Sequence, residues 1–181
     1  MADEIQVGLG RTGKLFAWQH EDARPDVLIL GKALSGGMYP VSAACADAAV
    51  MDVFEPGDHG STYGGNPLGM AVAAEALDVI VDERLAERAE ELGAYLMERL
   101  YEIPTPYLKE IRGKGLLIGL EVNEKADALG SAHFFCEELQ KRGILCKDTH
   151  GTVIRFAPPL TITREEIDWM IPVVTEVLNL G

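Results

Sequence analysis

The spacing of hydrophobic residues changes several times along the chain, and each change marks an element. Val27-Leu28-Ile29-Leu30 is a short continuous apolar run set between Arg24-Pro25 and Gly31, the pattern of a buried strand. Tyr39-Pro40-Val41-Ser42-Ala43-Ala44-Cys45-Ala46 predicts a second short, mostly buried strand. A loop with Pro56, Gly57, Gly60, Gly64 and Gly65 follows, and Asn66-Pro67 supplies a helix N-cap and first turn. Leu68 to Val81 is Ala-rich and apolar nearly all round, which predicts a helix buried within a larger body. From Glu83 the pattern becomes amphipathic, with Leu85, Ala89, Leu92, Leu96 and Leu100 at helical spacing until Pro104 and Pro106 end it.

The remainder has a different rhythm. Gly115 to Val122 predicts a strand, Ala132 to Lys141 a helix ended by Gly143, Ile144-Leu145-Cys146 a strand, and Val153 to Phe156 another, stopped by Pro158-Pro159. Thr163-Arg164-Glu165-Glu166 is a capping box, with Ile162 and Ile167 placed as a hydrophobic staple. The closing helix repeats Ile167, Met170, Ile171, Val174 and Leu178, with Pro172 inside it as an expected kink. The expected organisation is the rear of an α/β layer over 1–103 and a small α+β lobe over 104–181.

Composition narrows the function. The 181 residues are 48% hydrophobic and 25% charged, an ordinary globular balance. A formal net charge of −13 repels phosphate backbones and anionic lipid, which argues against nucleic-acid or membrane-surface binding. No apolar run has spanning length and no basic leader precedes one, so a cytoplasmic, non-exported chain is expected. Cys45, Cys136 and Cys146 are read as small buried hydrophobes in a reducing compartment. No metal site is expected: His133 and Cys136 stand at i and i+3 on a predicted helix, without the second pair of ligands a zinc site needs.

The candidate chemistry centres on Lys32, at the tip of the first strand in Leu30-Gly31-Lys32-Ala33-Leu34-Ser35-Gly36-Gly37. An ammonium is costly to desolvate, burial favours the neutral amine, and the neutral amine condenses with carbonyls. A lysine snorkelling from a strand end is the alternative for this residue alone. Gly8-x-Gly10-x-x-Gly13 matches the dinucleotide fingerprint only as a bare pattern. It lacks the preceding strand, the following helix and the acidic residue further on, so a turn allowing close backbone approach is the better account. The chain enters this loop almost at once, and an absent front portion is expected.

Asp3-Glu4-Ile5-Gln6-Val7-Gly8-Leu9-Gly10-Arg11-Thr12-Gly13, the Lys32 segment, and Gly60-Ser61-Thr62-Tyr63-Gly64-Gly65-Asn66-Pro67 occur in that order. Together they resemble the class III pyridoxal-phosphate-dependent aminotransferases, and the likeness covers the family's carboxy-terminal half. Three further stretches are most similar to the ornithine-specific members: Ala33 to Ser42, Arg112 to Leu117, and Lys147 to Gly151 before Ile154 to Leu160. Acetylornithine and 4-aminobutyrate aminotransferases share the first three motifs. The resemblance implies the rear part of the fold type I large domain, followed by a small α+β carboxy-terminal domain.

It also implies roles. Lys32 would bind the aldehyde of pyridoxal 5'-phosphate and then shuttle a proton. Asp3 would face the pyridine nitrogen, and Gln6 would approach the ring's phenolic oxygen. Thr62 would reach the phosphate of a second subunit's cofactor, implying a dimer with shared sites. Arg155 would take the substrate carboxylate. Taken alone, Asp3, Gln6, Thr62 and Arg155 read as ordinary surface or turn residues. The implied reaction moves ornithine's δ-amino group to 2-oxoglutarate, giving glutamate 5-semialdehyde and glutamate, within arginine catabolism and proline metabolism. Two hypotheses follow: an enzyme half, inactive without a separately encoded amino-terminal half, or a non-catalytic remnant acting as an interaction module.

Overall fold

The structure, a computed structural model, describes residues 1–180. Its chain forms two compact units, Met1–Glu87 and the residues from Arg88 onward.

The first unit is built on a three-stranded sheet of β1 (Ala2–Asp3), β2 (Val27–Leu30) and β3 (Ala43–Ala46), in that order. β1 runs parallel to β2, with Asp3 opposite Ile29, and β3 is antiparallel to β2, with Leu30 opposite Ala43. A single-turn helix α1 (Ala48–Met51) precedes the glycine-rich loop. Helix α2 (Pro67–Asp82) then starts as predicted, the Asn66 side-chain Oδ1 accepting the Gly69 N–H at 2.8 Å with proline in the first turn.

Two burial expectations fail here. Cys45 is exposed rather than buried: β3 is an edge strand, and its two middle residues, Ala44 and Cys45, are both uncovered. Helix α2 buries only Gly69, Ala73 and Ile80, while Leu68, Met70, Val79 and Val81 are exposed. Within the unit, one face of this helix packs and the apolar residues on its other faces meet solvent.

Helix α3 (Leu85–Tyr101) begins as the first unit ends. Its stripe of Ala89, Leu92, Leu96 and Leu100, with Ile103 beyond, lies in the second unit's core. The compact second unit therefore starts earlier in sequence than the division at 103–104, since that stripe has its partners there. The sheet of this unit is fully antiparallel, in the order β4 (Leu108–Lys114), β5 (Leu117–Val122), β7 (Val153–Phe156), β6 (Lys147–Thr149). Helix α4 (Ser131–Lys141) and helix α5 (Arg164–Val177) complete it. Gly115 and Leu116, expected in a strand, form the β4–β5 turn instead. The strand expected at 144–146 occurs at 147–149. Gly143 at φ +90° and the Ile144 N–H to Leu139 carbonyl bond use those residues to close α4. The capping box forms as predicted, Thr163 accepting from the Glu166 N–H and Glu166 from the Thr163 N–H. Ile162 and Ile167 are both buried.

Cys136, on α4, and Cys146 are not independent of each other. Their thiols share a hydrogen bond that pushes Cys146 up and Cys136 down.

Arg112 is structural, bridging Glu110 at 2.7 Å and Glu121 at 2.6 Å, while Lys109 donates to the other Glu121 oxygen at 2.6 Å. The Lys109 bond first, then Arg112, holds the Glu121 carboxyl below its ordinary value of 4.5. A group depressed on folding contributes stability above its unfolded value and loses it as pH falls through the folded one. Glu121→Gln is therefore expected to flatten the acid side of the stability profile below about pH 4.5, leaving a smaller pH dependence there. Urea midpoints of wild type and variant at a series of acidic pH values check this, and parallel profiles would contradict it.

Candidate active site

Two parallel neighbouring strands end on the same side of the first sheet, and such ends are where α/β sheets place ligands. β1 ends at Asp3 and β2 at Leu30. Past β1 the pairing continues for one more bond, Glu4 N–H to the Ile29 carbonyl at 2.9 Å, and the chain then turns, Gly8 N–H returning to the Glu4 carbonyl at 2.9 Å. Asp3 is exposed, and its Oδ1 accepts the Ile5 N–H at 3.1 Å, a local turn that orients the carboxylate. Gln6 rides on the turn. Its Oε1 accepts a hydrogen bond from Lys32 Nζ at 2.9 Å.

Lys32 follows Gly31 at the end of β2 and opens a short 3-10 turn, Lys32–Ser35. It has φ +44°, in the left-handed region, which costs an L-residue other than glycine about 1–2 kcal/mol. Contrary to expectation, the lysine is exposed. Strand β2 ends at the margin of a three-stranded sheet, and the segment 39–42 borders Lys32 without enclosing it. Together they line an open cavity of about 330 Å³, formed by Lys32, Tyr39, Pro40, Val41 and Ser42.

The structure thus joins Lys32 to Gln6 and sets Asp3 at the neighbouring strand end. Thr62 lies in the same unit on an exposed loop, held by the Ser61 Oγ contact with the Gly64 N–H at 2.9 Å and by Asn66 Nδ2 donating to the Tyr63 carbonyl at 2.8 Å. Arg155 belongs to the second unit. It is half-buried on β7, with Lys147 opposite on one neighbouring strand and Gly119 on the other.

The glycine loop contains no dinucleotide-type helix start. His20 Nε2 lies 3.1 Å from both the carbonyl and the hydroxyl of Thr12, and burial pushes the Arg11 guanidinium down. Sequence reasoning missed Glu4, which is buried with Thr12 and Ser35. Its carboxylate accepts the Ala17 and Trp18 N–H groups, each at 2.9 Å. Gly8, four residues on, was the available signal, because an i-to-i+4 turn there brings Glu4 inside. Among the described residues, no group of three or more His, Cys, Asp and Glu could hold a metal, and no helix is long and apolar enough to cross a membrane.

The family model for Aminotransferase class-III matches residues 1–178. The chain is 54% identical over 180 residues to the ornithine aminotransferase of Brevibacillus brevis, covering 99% of this chain and 44% of that protein. It resembles a Toxoplasma gondii ornithine aminotransferase structure showing partial occupancy of PLP at the active site, with a TM-score of 0.91 and 49% identity over 97% of this chain and 41% of the other. The acetylornithine aminotransferase structure from Elizabethkingia anophelis gives a TM-score of 0.90 and 50% identity, covering 97% of this chain and 46% of that one. The chain spans less than half the length of these relatives.

Proposed function

The chain belongs to the class III aminotransferase family, and from that premise we propose that it is the carboxy-terminal part of a pyridoxal-phosphate-dependent ornithine aminotransferase. The observation that carries this is the Lys32 amine hydrogen-bonded to Gln6 beside the end of β1. A reachable amine, an acid on the adjacent strand and an open cavity beside them fit the cofactor's aldehyde, ring nitrogen and ring.

When bound, pyridoxal phosphate supplies an aldehyde for the amino group and a ring that withdraws electrons from the reacting carbon. Lys32 would hold the cofactor and, once freed, accept and return a proton at Nζ. Asp3, oriented through Oδ1, would keep the ring nitrogen protonated. Gln6 orients Nζ, and Thr62 offers a hydroxyl to the phosphate of a second subunit. The Arg155 guanidinium is suited to a carboxylate, gripping both oxygens as a fork. Ornithine and 2-oxoglutarate are the proposed substrates, in a cytoplasmic dimer serving arginine catabolism and proline metabolism. Lys32 stands open to solvent in this chain, so a separately encoded amino-terminal half is the proposed partner, and the lone chain is inferred not to turn over.

The test mixes the chain with the amino-terminal part of the Brevibacillus brevis relative and follows ornithine-dependent formation of glutamate 5-semialdehyde. A soluble, stoichiometric complex with no turnover of any amino donor would leave the remnant reading standing. Acetylornithine as donor is a second reading, favoured by the equal likeness to the Elizabethkingia structure, and parallel assays of the two donors decide between them. In the active complex, Arg155→Lys is expected to raise KM for the carboxylate substrate roughly tenfold, with kcat less affected, because an ammonium cannot make the paired contact. An unchanged KM would remove Arg155 from the site.

A further inference from the structure

Glu4 has 3% of its surface exposed. Both of its carboxylate oxygens are taken by main-chain amides, Oε2 by Ala17 N–H and Oε1 by Trp18 N–H, each at 2.9 Å. These amides open the 3-10 turn Ala17–His20, whose N-cap residue, Phe16, has no side-chain oxygen to offer. The Glu4 backbone is fastened as well, its N–H to Ile29 and its carbonyl to Gly8. A β carbon on Gly8 would stand 2.8 Å from the Glu4 carbonyl oxygen and 2.9 Å from Glu4 Cβ, so the turn is closed tightly onto this residue. Gln6 lies between those two fastened residues and meets Lys32 Nζ.

A buried carboxylate held by amides alone is a costly way to fill space, since an apolar side chain would need no partners. Its charge-assisted bonds are strong and directional, which suits a clamp joining two distant stretches of chain. We propose that Glu4 is a positioning residue for Lys32, acting through Gln6: it locks the 4–8 turn to the segment at 17–18 and so fixes the amide oxygen that orients the amine. The importance of Lys32 rests on the functional reading above; the clamp does not.

The experiment uses the chain itself, as wild type, Glu4→Gln, Gln6→Ala and the double variant. Amide hydrogen exchange at Ala17 and Trp18 is expected to quicken about tenfold in Glu4→Gln, whose side-chain NH2 cannot accept, and to stay unchanged in Gln6→Ala. Acylation of Lys32 by a small neutral reagent, read by peptide mass against exposed Lys125, is the second measurement. Releasing the amine from Gln6 is expected to speed acylation roughly three- to tenfold in Gln6→Ala, equally in Glu4→Gln, and no further in the double variant. Ala17→Pro, which deletes one clamp amide where proline is tolerated at a helix start, should reproduce the Glu4→Gln result if that variant folds poorly. Wild-type acylation of Lys32 in Glu4→Gln, or additive effects in the double variant, overturns the proposal, because a merely structural Glu4 would loosen 17–18 without acting through Gln6. Borohydride trapping of pyridoxal phosphate at Lys32 in the wild-type chain reports separately on the functional reading, and its failure leaves the acylation result decisive for the clamp.

Discussion

Lys32→Ala, in the chain combined with an amino-terminal half, is expected to bring transamination to background, a fall of about four orders of magnitude. It should also abolish borohydride-trapped pyridoxal phosphate on the peptide carrying residue 32. The fold should survive, because the lysine side chain is exposed and gives up a hydrogen bond to another exposed side chain, Gln6. That combination makes the result decisive: a lost activity in a chain with unchanged circular dichroism and melting behaviour assigns the loss to chemistry. Lys14, Lys109, Lys114, Lys125, Lys141 and Lys147 serve as internal controls for trapping on exposed amines. Should the cofactor be trapped on those lysines to the same extent as on Lys32, or should Lys32→Ala retain even a hundredth of the activity, the amine is not the catalytic group.

Gly93→Ala is expected to destabilise the second unit by about 3 kcal/mol or more. Helix propensity alone predicts the opposite sign, since alanine is favoured over glycine in a helix interior by about 1 kcal/mol. The packing reverses it. A β carbon at Gly93 would stand 2.1 Å from the Gly115 carbonyl oxygen, 2.3 Å from its carbonyl carbon and 2.7 Å from its Cα. Those are backbone atoms of the β4–β5 turn, so no rotamer change relieves the overlap. Either α3 moves off the hairpin, uncovering the stripe that includes Leu92 and Leu96, or the turn opens. The chain has two tryptophans, Trp18 in the first unit and Trp169 in the second. Urea unfolding followed by Trp169 fluorescence in a Trp18→Phe background checks the expectation, and an unchanged or higher midpoint would refute it.

What the sequence revealed and what it concealed differ in physical kind. The Asn66-Pro67 helix start, the Thr163–Glu166 capping box and the amphipathic stripe of α3 were legible because each is a local pattern with a local cause. The strand displaced to 147–149 was not, since a helix end competed for residues 144–146 and tertiary pairing with β7 decided the outcome. Exposure of Lys32, Cys45 and the outer faces of α2 was illegible for another reason: apolar composition states what a residue is fit to touch and cannot say whether that neighbour belongs to the same chain. Of the candidate site, the grouping of Lys32, Asp3 and Gln6 about one cofactor was implied only through family likeness, the direct Lys32–Gln6 hydrogen bond was not foreseen, and Glu4 was masked because an acidic residue beside Asp3 looks solvated on a string. The 4–8 turn that carries it inward is a three-dimensional fact.

The left-handed backbone at residue 32 sets main chain and side chain at odds. Glycine would take that conformation without a β-carbon penalty, whereas lysine accepts the strain in order to place an amine there. The conformation by itself gives no reason for a long cationic side chain, so the choice of residue answers to what the amine meets beyond the turn.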